Sequence, residues 1–262
     1  MRIAITGAAG RIGKVLREGL RGRYDEIRLV DHAPIEDLQD GEAKVIGRIQ
    51  DVELMREAFS GCEAVVHLAG IPDESDFEAI LDANIRGTYS ILEAARLEDV
   101  KRIVFASTNH AIGFYPRTEK IDETVRGRPD TYYGASKAYG EDLCRLYHDK
   151  WGLEVVNLRI GSFREKPSDR RQLSTWLSYP DAVHLADRAV RAPDVGYRIV
   201  YGVSNNSASW WDNDVDGAAI GYEPQDSADS FHDELVGLDE QPPGARYQGG
   251  EFVRPSYTGG LG

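Results

Sequence analysis

The sequence predicts an α/β fold built on a doubly wound parallel sheet, and three observations predict it. The first thirty-one residues read as strand, glycine-rich turn, helix and strand. Short apolar runs then alternate with helical patterns, the order expected when helical crossovers cover both faces of a parallel sheet. Polar, ligand-type side chains gather where those runs end, on the carboxyl side of such a sheet.

The opening stretch is Arg2-Ile-Ala-Ile-Thr6, Gly7, Gly10 and Gly13. Ile3 and Ile5 suit a buried strand, and Gly7 lets the chain turn at its end through dihedrals that a side chain resists. Gly10 leaves room for a pyrophosphate beside the backbone, and Gly13 lets the next helix lie against the sheet. That helix, over 11–20, buries Val15, Leu16 and Leu20 and aims its first amides, those of Arg11 and Ile12, at the phosphates. A second strand, 27–30, ends at Asp31, where a carboxylate accepts hydrogen bonds from an adenosine ribose and repels a 2'-phosphate. This is half of a Rossmann-type nucleotide site, with NAD favoured over NADP. A glycine triplet by itself also serves turns that bind nothing; the flanking strands, helix and acid are what point to a nucleotide.

A chain of 262 residues accommodates one sizeable α/β body over 1–262, with 162–262 supplying a small C-terminal substrate-binding lobe and an arm. With 44 Asp and Glu against 31 Lys and Arg, the formal charge of -13 opposes nucleic acid and anionic membrane as partners. Cys62 and Cys144 have no metal-ligand spacing, so ordinary reduced thiols and no metal are expected. Together with a strand that starts at once and no apolar run of membrane-spanning length, this predicts a cytoplasmic protein.

The remaining elements follow in order. A third strand is expected over 43–46 and a helix over 52–59. The run from Cys62 ends in Leu68, Ala69 and Gly70, a small-residue turn that lets backbone pass beside a cofactor, while His67 reads as a structural histidine within the strand. A helix over 77–95 carries Asn84, an amide able to tie elements of the cofactor site together. An apolar strand from Lys101 then ends in Ser107, Thr108, Asn109 and His110, donors and acceptors that suit either a ligand site or the capping of a turn.

Tyr133 and Lys137 open a helix over 132–150 and stand four apart, on one face. A phenol with an ordinary pKa of about 10 is a poor base at neutral pH, but a nearby ammonium favours its phenolate. Such a group can take a hydroxyl proton while hydride leaves the same carbon, and Thr108 offers a hydroxyl to orient that oxygen. Tyr-Lys pairs at this spacing also occur on exposed helices that do no chemistry. Trp210 and Trp211 read as packing groups, and the stretch after Pro242 as an arm with a mobile glycine-rich end.

Taken together, the glycine loop, Asp31, Asn84, Thr108, Tyr133 and Lys137 resemble the short-chain dehydrogenase/reductase superfamily, in the Gly-x-x-Gly-x-x-Gly spacing of its extended and atypical members. More narrowly, the chain resembles the uronate dehydrogenases in Phe105-Ala-Ser-Thr-Asn-His-Ala-Ile-Gly113, Tyr133-Gly-Ala-Ser-Lys137 and Arg159-Ile-Gly-Ser162. The likeness continues through Leu173-Ser-Thr-Trp-Leu-Ser178, Trp210-Trp-Asp-Asn213 and Arg246-Tyr-Gln-Gly-Gly-Glu-Phe-Val253. It implies oxidation at C1 of galacturonate or glucuronate by NAD, giving an aldaric acid lactone and NADH; a homo-oligomer is the expected assembly. Tyr133 would then be the general base, Lys137 would hold the nicotinamide ribose, and Thr108 would bind the reacting hydroxyl. Ser107, Ile160 and Ile49 would lie along the cofactor, Asn109 and His110 on sugar hydroxyls, Ser162 between cofactor and sugar, and Arg171 on the carboxylate.

Two positions depart from the resemblance. Arg48-Ile49 stands where these dehydrogenases usually have an acid followed by an aliphatic residue, so Arg48 is expected to be solvated while Ile49 packs on adenine. Pro72 stands where a substrate-touching serine is expected. The nearest rivals are an NAD-dependent glucose-6-phosphate dehydrogenase, which would lack the Gln-Gly-Gly tail, and a sugar-nucleotide epimerase or dehydratase, which usually has a longer C-terminal region. An NAD-sensing regulator is the rival of another class, and it would usually lack the Tyr-Lys pair.

Overall fold

The computed structural model describes residues 1–238 and 240–259. Its centre is a parallel seven-stranded sheet in the order β3-β2-β1-β4-β5-β6-β9. The strands are β1 (Arg2–Thr6), β2 (Glu26–Asp31), β3 (Glu42–Ile46), β4 (Ala64–His67), β5 (Arg102–Thr108), β6 (Glu154–Ile160) and β9 (Tyr197–Gly202). A two-stranded ribbon, β7 (Ser162–Phe163) with β8 (Trp176–Leu177), stands apart from it.

Alternation along β1 explains the layering. Ile3 and Ile5 face α1 (Arg11–Leu20) and α7 (Tyr179–Arg191), in a core with Leu16, Leu20, Leu185 and Ala189. Ala4 faces the other way, into a core with Met55 and Phe59 of α2 (Val52–Phe59), Ile91 of α4 (Gly87–Leu97) and Cys144 of α5 (Tyr132–Trp151). The strand order reverses between β1 and β4, and that switch point opens a crevice at the carboxyl ends of the strands.

Local signals set the helix ends. The Asp51 side chain caps α2, Thr131 caps α5, and Ser178 caps α7 with a proline in its first turn. Gly152 ends α5 in the left-handed region at φ 73°. The helix expected over 77–95 is three pieces: α3 (Phe77–Ile80), a π-helical turn (Leu81–Arg86) and α4. The wide turn carries Asn84 and follows from its hydrogen bonds outside the helix, described below.

His67 is a satisfied core histidine, with Nδ1 2.8 Å from the Thr6 hydroxyl. Trp211 is buried, stacked on Tyr201 at 5.4 Å, so this member of the tryptophan pair packs as expected. Arg48 projects into solvent and pairs with Asp82 at 2.7 Å, while Ile49 is buried against Gly87. Both cysteines are free and buried. No described helix is long and apolar enough to cross a membrane. The end expected to be mobile, residues 260–262, lies outside the described residues.

Candidate active site

The glycine loop is tight because backbone meets backbone. Gly7 has φ +73°, and a Cβ there would lie 2.7 Å from the amide nitrogen of Ala69. A Cβ on Gly13 would lie 2.3 Å from the Gly7 carbonyl oxygen, and one on Gly10 would lie 3.1 Å from it. The N-terminus of α1 receives no side-chain cap and has no acidic residue in its first turn, so no acid of the helix itself competes for the amides of Arg11 and Ile12. At the end of β2, Asp31 accepts hydrogen bonds from the Ala9 and Ala33 amides, 2.9 Å each, which fixes its carboxylate beside the loop. The cradle suits NAD: it gives the phosphates backbone amides and the ribose an acid.

Leu68, Ala69 and Gly70 run across the other side of this crevice. Gly70, at φ +144°, threads between Asn84 and Lys137, where a Cβ would be 2.8 Å from Asn84 Oδ1 and 3.9 Å from Lys137 Nζ. Asn84 accepts from the Ile71 amide at 2.8 Å and donates to the Ile71 carbonyl at 3.1 Å and to the Ser136 hydroxyl at 3.0 Å. The π-helical turn thus ties the loop after β4 to the helix that carries Tyr133.

Thr108 closes β5, Tyr133 meets it from α5, and Lys137 lies one turn further along that helix. All three are buried. Burial pushes the Tyr133 phenol up to about 12, hydrogen bonding by the Thr108 hydroxyl pulls it down, and the Asp130 and Asp73 charges push it up again. Burial holds the Lys137 ammonium down at about 8, and its Nζ sits 5.0 Å from the centre of the Phe105 ring. The Tyr133 amide donates to Glu74 Oε2 at 2.9 Å, so an acid of the β4–α3 loop satisfies the first turn of α5.

Beneath Thr108 lies a charged network that sequence reasoning missed. Ser107 donates to Glu141 Oε1 at 2.5 Å, and Arg159 holds both oxygens of the same carboxylate at 3.0 and 2.9 Å. Glu141 is one turn beyond Lys137, and Arg159 precedes Ile160, so the buried pair locks α5 to the ends of β5 and β6.

The opposite wall is built from four distant segments. Arg171, just before α6 (Gln172–Thr175), donates from Nε to the Gln248 carbonyl at 2.6 Å and from Nη1 to Ser162 Oγ at 3.3 Å. With its amide turned so that nitrogen faces the Ile160 carbonyl (3.1 Å), Asn109 accepts from Arg171 Nη2 at 2.5 Å. Every one of these acceptors is neutral, and no carboxylate lies within ion-pair distance of Arg171 among the described residues. Burial presses the guanidinium down to about 10, with Asp169 partly restoring it. His110 packs beside Tyr133, its Nδ1 2.8 Å from Asp130 Oδ2, under the ring of Phe252 at a centroid distance of 3.6 Å.

The structure therefore joins Thr108, Tyr133 and His110 in one set of contacts and Asn109, Arg171 and Ser162 in another, linked through the consecutive residues 108–110, with Lys137 one turn along α5 from Tyr133. A separate cleft of about 690 Å³, lined by Trp176, Tyr179 and Phe231, contains none of them. Pro72 is exposed on the loop after β4 and supplies no side-chain donor. Asp130, Glu74, Gln248 and Phe252 were not singled out from the sequence as site residues. Gln248 and Phe252 lay within the tail stretch quoted above, whereas the only local mark of Asp130 is its place before the Thr131 cap.

Fold and site together define an oxidoreductase that uses a nicotinamide nucleotide. The model of the NAD dependent epimerase/dehydratase family matches residues 3–197. A uronate dehydrogenase of Pseudomonas syringae pv. tomato is 45% identical, the match covering 96% of this chain and 93% of that one. A mutant of the Agrobacterium tumefaciens uronate dehydrogenase complexed with NAD superimposes with a TM-score of 0.93 at 41% identity, covering 98% of each chain. The glucuronic acid dehydrogenase of Chromohalobacter salexigens gives 0.92 at 43% identity, covering 96% of each. The chain belongs to the NAD-dependent epimerase/dehydratase family and, within it, to the uronate dehydrogenases.

Proposed function

We propose that this protein oxidises the C1 hydroxyl of D-galacturonate or D-glucuronate to the aldaric acid lactone. Arg171 carries the reading. A largely desolvated guanidinium whose hydrogen-bond acceptors are all neutral is costly even with Asp169, Asp130 and Glu240 acting on it from a distance, and a substrate carboxylate is the partner that completes it with two parallel hydrogen bonds. A phosphate would also answer the charge, but Arg117, the further cation whose charge reaches Arg171, is already paired with Glu240, and the other donors nearby are single hydroxyls and amides.

Bound NAD supplies the hydride acceptor. The amides of Arg11 and Ile12 and the backbone at Gly7, Gly10 and Gly13 hold its phosphates, Asp31 its ribose, and Ile49, Leu68, Ala69, Gly70, Asn84, Ser107 and Ile160 line its path. Lys137 holds the second ribose. Thr108 donates to the C1 oxygen and orients it, and Tyr133 takes the C1 hydroxyl proton as the C1–H bond breaks and the carbonyl of the lactone forms. Asn109 and His110 bind sugar hydroxyls, and Ser162 bridges the sugar and cofactor ends. A phenol raised by burial suits a base only when positive charge is near, and Lys137, one turn away on α5, together with the nicotinamide it would hold, would supply that charge.

The enzyme acts in the cytoplasm as a homo-oligomer, without nucleic acid or membrane as partner. Reduced buried thiols support the compartment, and exposed Tyr89 and Leu97 on α4 with Tyr139 and Leu146 on α5 support self-association. NADH formation with galacturonate, glucuronate, glucose 6-phosphate and glucose, side by side, tests the reading. Turnover confined to the uronates is expected; preference for glucose 6-phosphate would overturn it.

A further inference from the structure

A histidine meets a hydroxyl in one of two opposite senses, as donor or as acceptor, according to which ring nitrogen carries the proton. Here the sense is set from behind the ring. The Asp130 side chain has no exposure to solvent, and its Oδ2 lies 2.8 Å from His110 Nδ1. The other carboxylate oxygen accepts from the Thr131 hydroxyl at 3.1 Å. Backbone reciprocates, since the Asp130 amide donates to the His110 carbonyl at 3.3 Å.

The seat of this carboxylate exists because side chains are missing around it. A Cβ on Gly113 would lie 1.8 Å from Asp130 Oδ2, and one on Gly249 would lie 2.0 Å from it. Phe252, from the C-terminal arm, stacks on the imidazole within 21° of parallel and blocks its rotation. Asp130 makes no ion pair with lysine or arginine among the described residues; its charge also reaches the Tyr133 phenol and the Arg171 guanidinium, but among the described residues the imidazole is the titratable group hydrogen-bonded to it. A carboxylate only accepts, which requires the proton on Nδ1.

We propose that Asp130 is a positioning residue that fixes His110 as the Nδ1–H tautomer, so that Nε2 offers a lone pair to a hydroxyl of the sugar. The inference rests on the uronate reading for its ligand, but the tautomer itself belongs to the protein alone. It makes the site selective for a hydroxyl that donates, and it separates His110 from Asn109 and Arg171, whose side chains offer hydrogens.

Two measurements test it. Long-range proton–nitrogen NMR of histidine-labelled, substrate-free protein, with the His110 signals identified by their loss in His110→Gln, should place the proton on Nδ1 in the wild type and on Nε2 in Asp130→Asn. A proton on Nε2 in the wild type overturns the proposal without any variant of Asp130. Kinetically, Asp130→Asn should lower kcat/KM for the parent uronate about 10- to 100-fold. The loss should shrink to within about threefold for the one deoxy analogue that lacks the hydroxyl facing His110, and Asp130→Asn should add little in a His110→Gln background. Equal losses for the parent and every deoxy analogue would assign Asp130 a merely structural part. A wild type inactive on all uronates would sink the substrate reading while leaving the tautomer measurement intact.

Discussion

Replacing Arg171 by glutamine separates the two jobs a buried guanidinium can have. A charge held down to about 10 by burial costs the folded chain on the order of 2–3 kcal/mol, trimmed by the solvent the residue still meets. Against that relief stand its hydrogen bonds to the Gln248 carbonyl, Ser162 and Asn109, each about 0.5–1.5 kcal/mol net, of which the shorter glutamine amide keeps one at most. The two contributions nearly cancel, so the urea midpoint should move by no more than about 1 kcal/mol in free energy. The substrate sees no such cancellation. Removing one partner of a desolvated guanidinium–carboxylate pair costs roughly 3–5 kcal/mol, which is about 10²- to 10³-fold or more in kcat/KM for galacturonate or glucuronate. Galactose, with a hydroxymethyl in place of the carboxylate, should lose less than about fivefold. The assay is NADH formation with both sugars alongside urea unfolding of the substrate-free protein. Equal losses for acid and neutral sugar would refute the clamp, and a large fall in stability with unchanged uronate turnover would make Arg171 a cross-link.

Tyr133→Phe keeps the ring in its pocket and removes only the proton acceptor, so turnover should fall about 10²- to 10⁴-fold with NAD affinity changed by less than about threefold; single-turnover NADH formation near the wild-type rate would remove Tyr133 as the base. His67 predicts a particular acid sensitivity. Its folded pKa, pushed down to about 3 by complete burial, lies below the ordinary 6.5, so between those values the unfolded chain holds the extra proton and stability is lost as pH falls below 6.5. At pH 5 that amounts to about 2 kcal/mol relative to pH 7, and urea unfolding of the wild type should show it while His67→Gln does not; parallel losses in both proteins would point to another group.

What could be read from the sequence was local. Gly7, Gly13 and Asp31 sit within one strand–helix–strand unit, so spacing alone conveys their geometry, and the seven-stranded order follows from repeating that unit. Tyr133 and Lys137 were visible because one helical turn relates them. The π-helical turn at Asn84 escaped notice because its cause is Ile71 and Ser136, thirteen and fifty-two residues away. Asp130 looked like an ordinary residue before a helix cap, for nothing near it in sequence announces that Gly249 leaves room for its carboxylate. Glu141 and Arg159 belong to a helix and a strand whose other residues already explain their presence, and only packing reveals that their charges meet. Arg171 lies in a charged loop directly after Arg170, and only the resemblance, not composition, marks it.

The C-terminal arm closes the sugar side across long stretches of chain: Gln248 reaches Arg171 over 77 residues, and Tyr257 donates to Asp73 over 184. The phosphate and adenosine end of the cofactor cradle, by contrast, is drawn from neighbouring elements between Gly7 and Gly70. Contacts so far apart in sequence are late to form, because loop closure must be met before they reward it. NAD and sugar therefore report on different stages of the molecule's maturation. A population that captures the nucleotide at full stoichiometry can still hold molecules with no wall behind His110, and only turnover counts those whose last segment has docked.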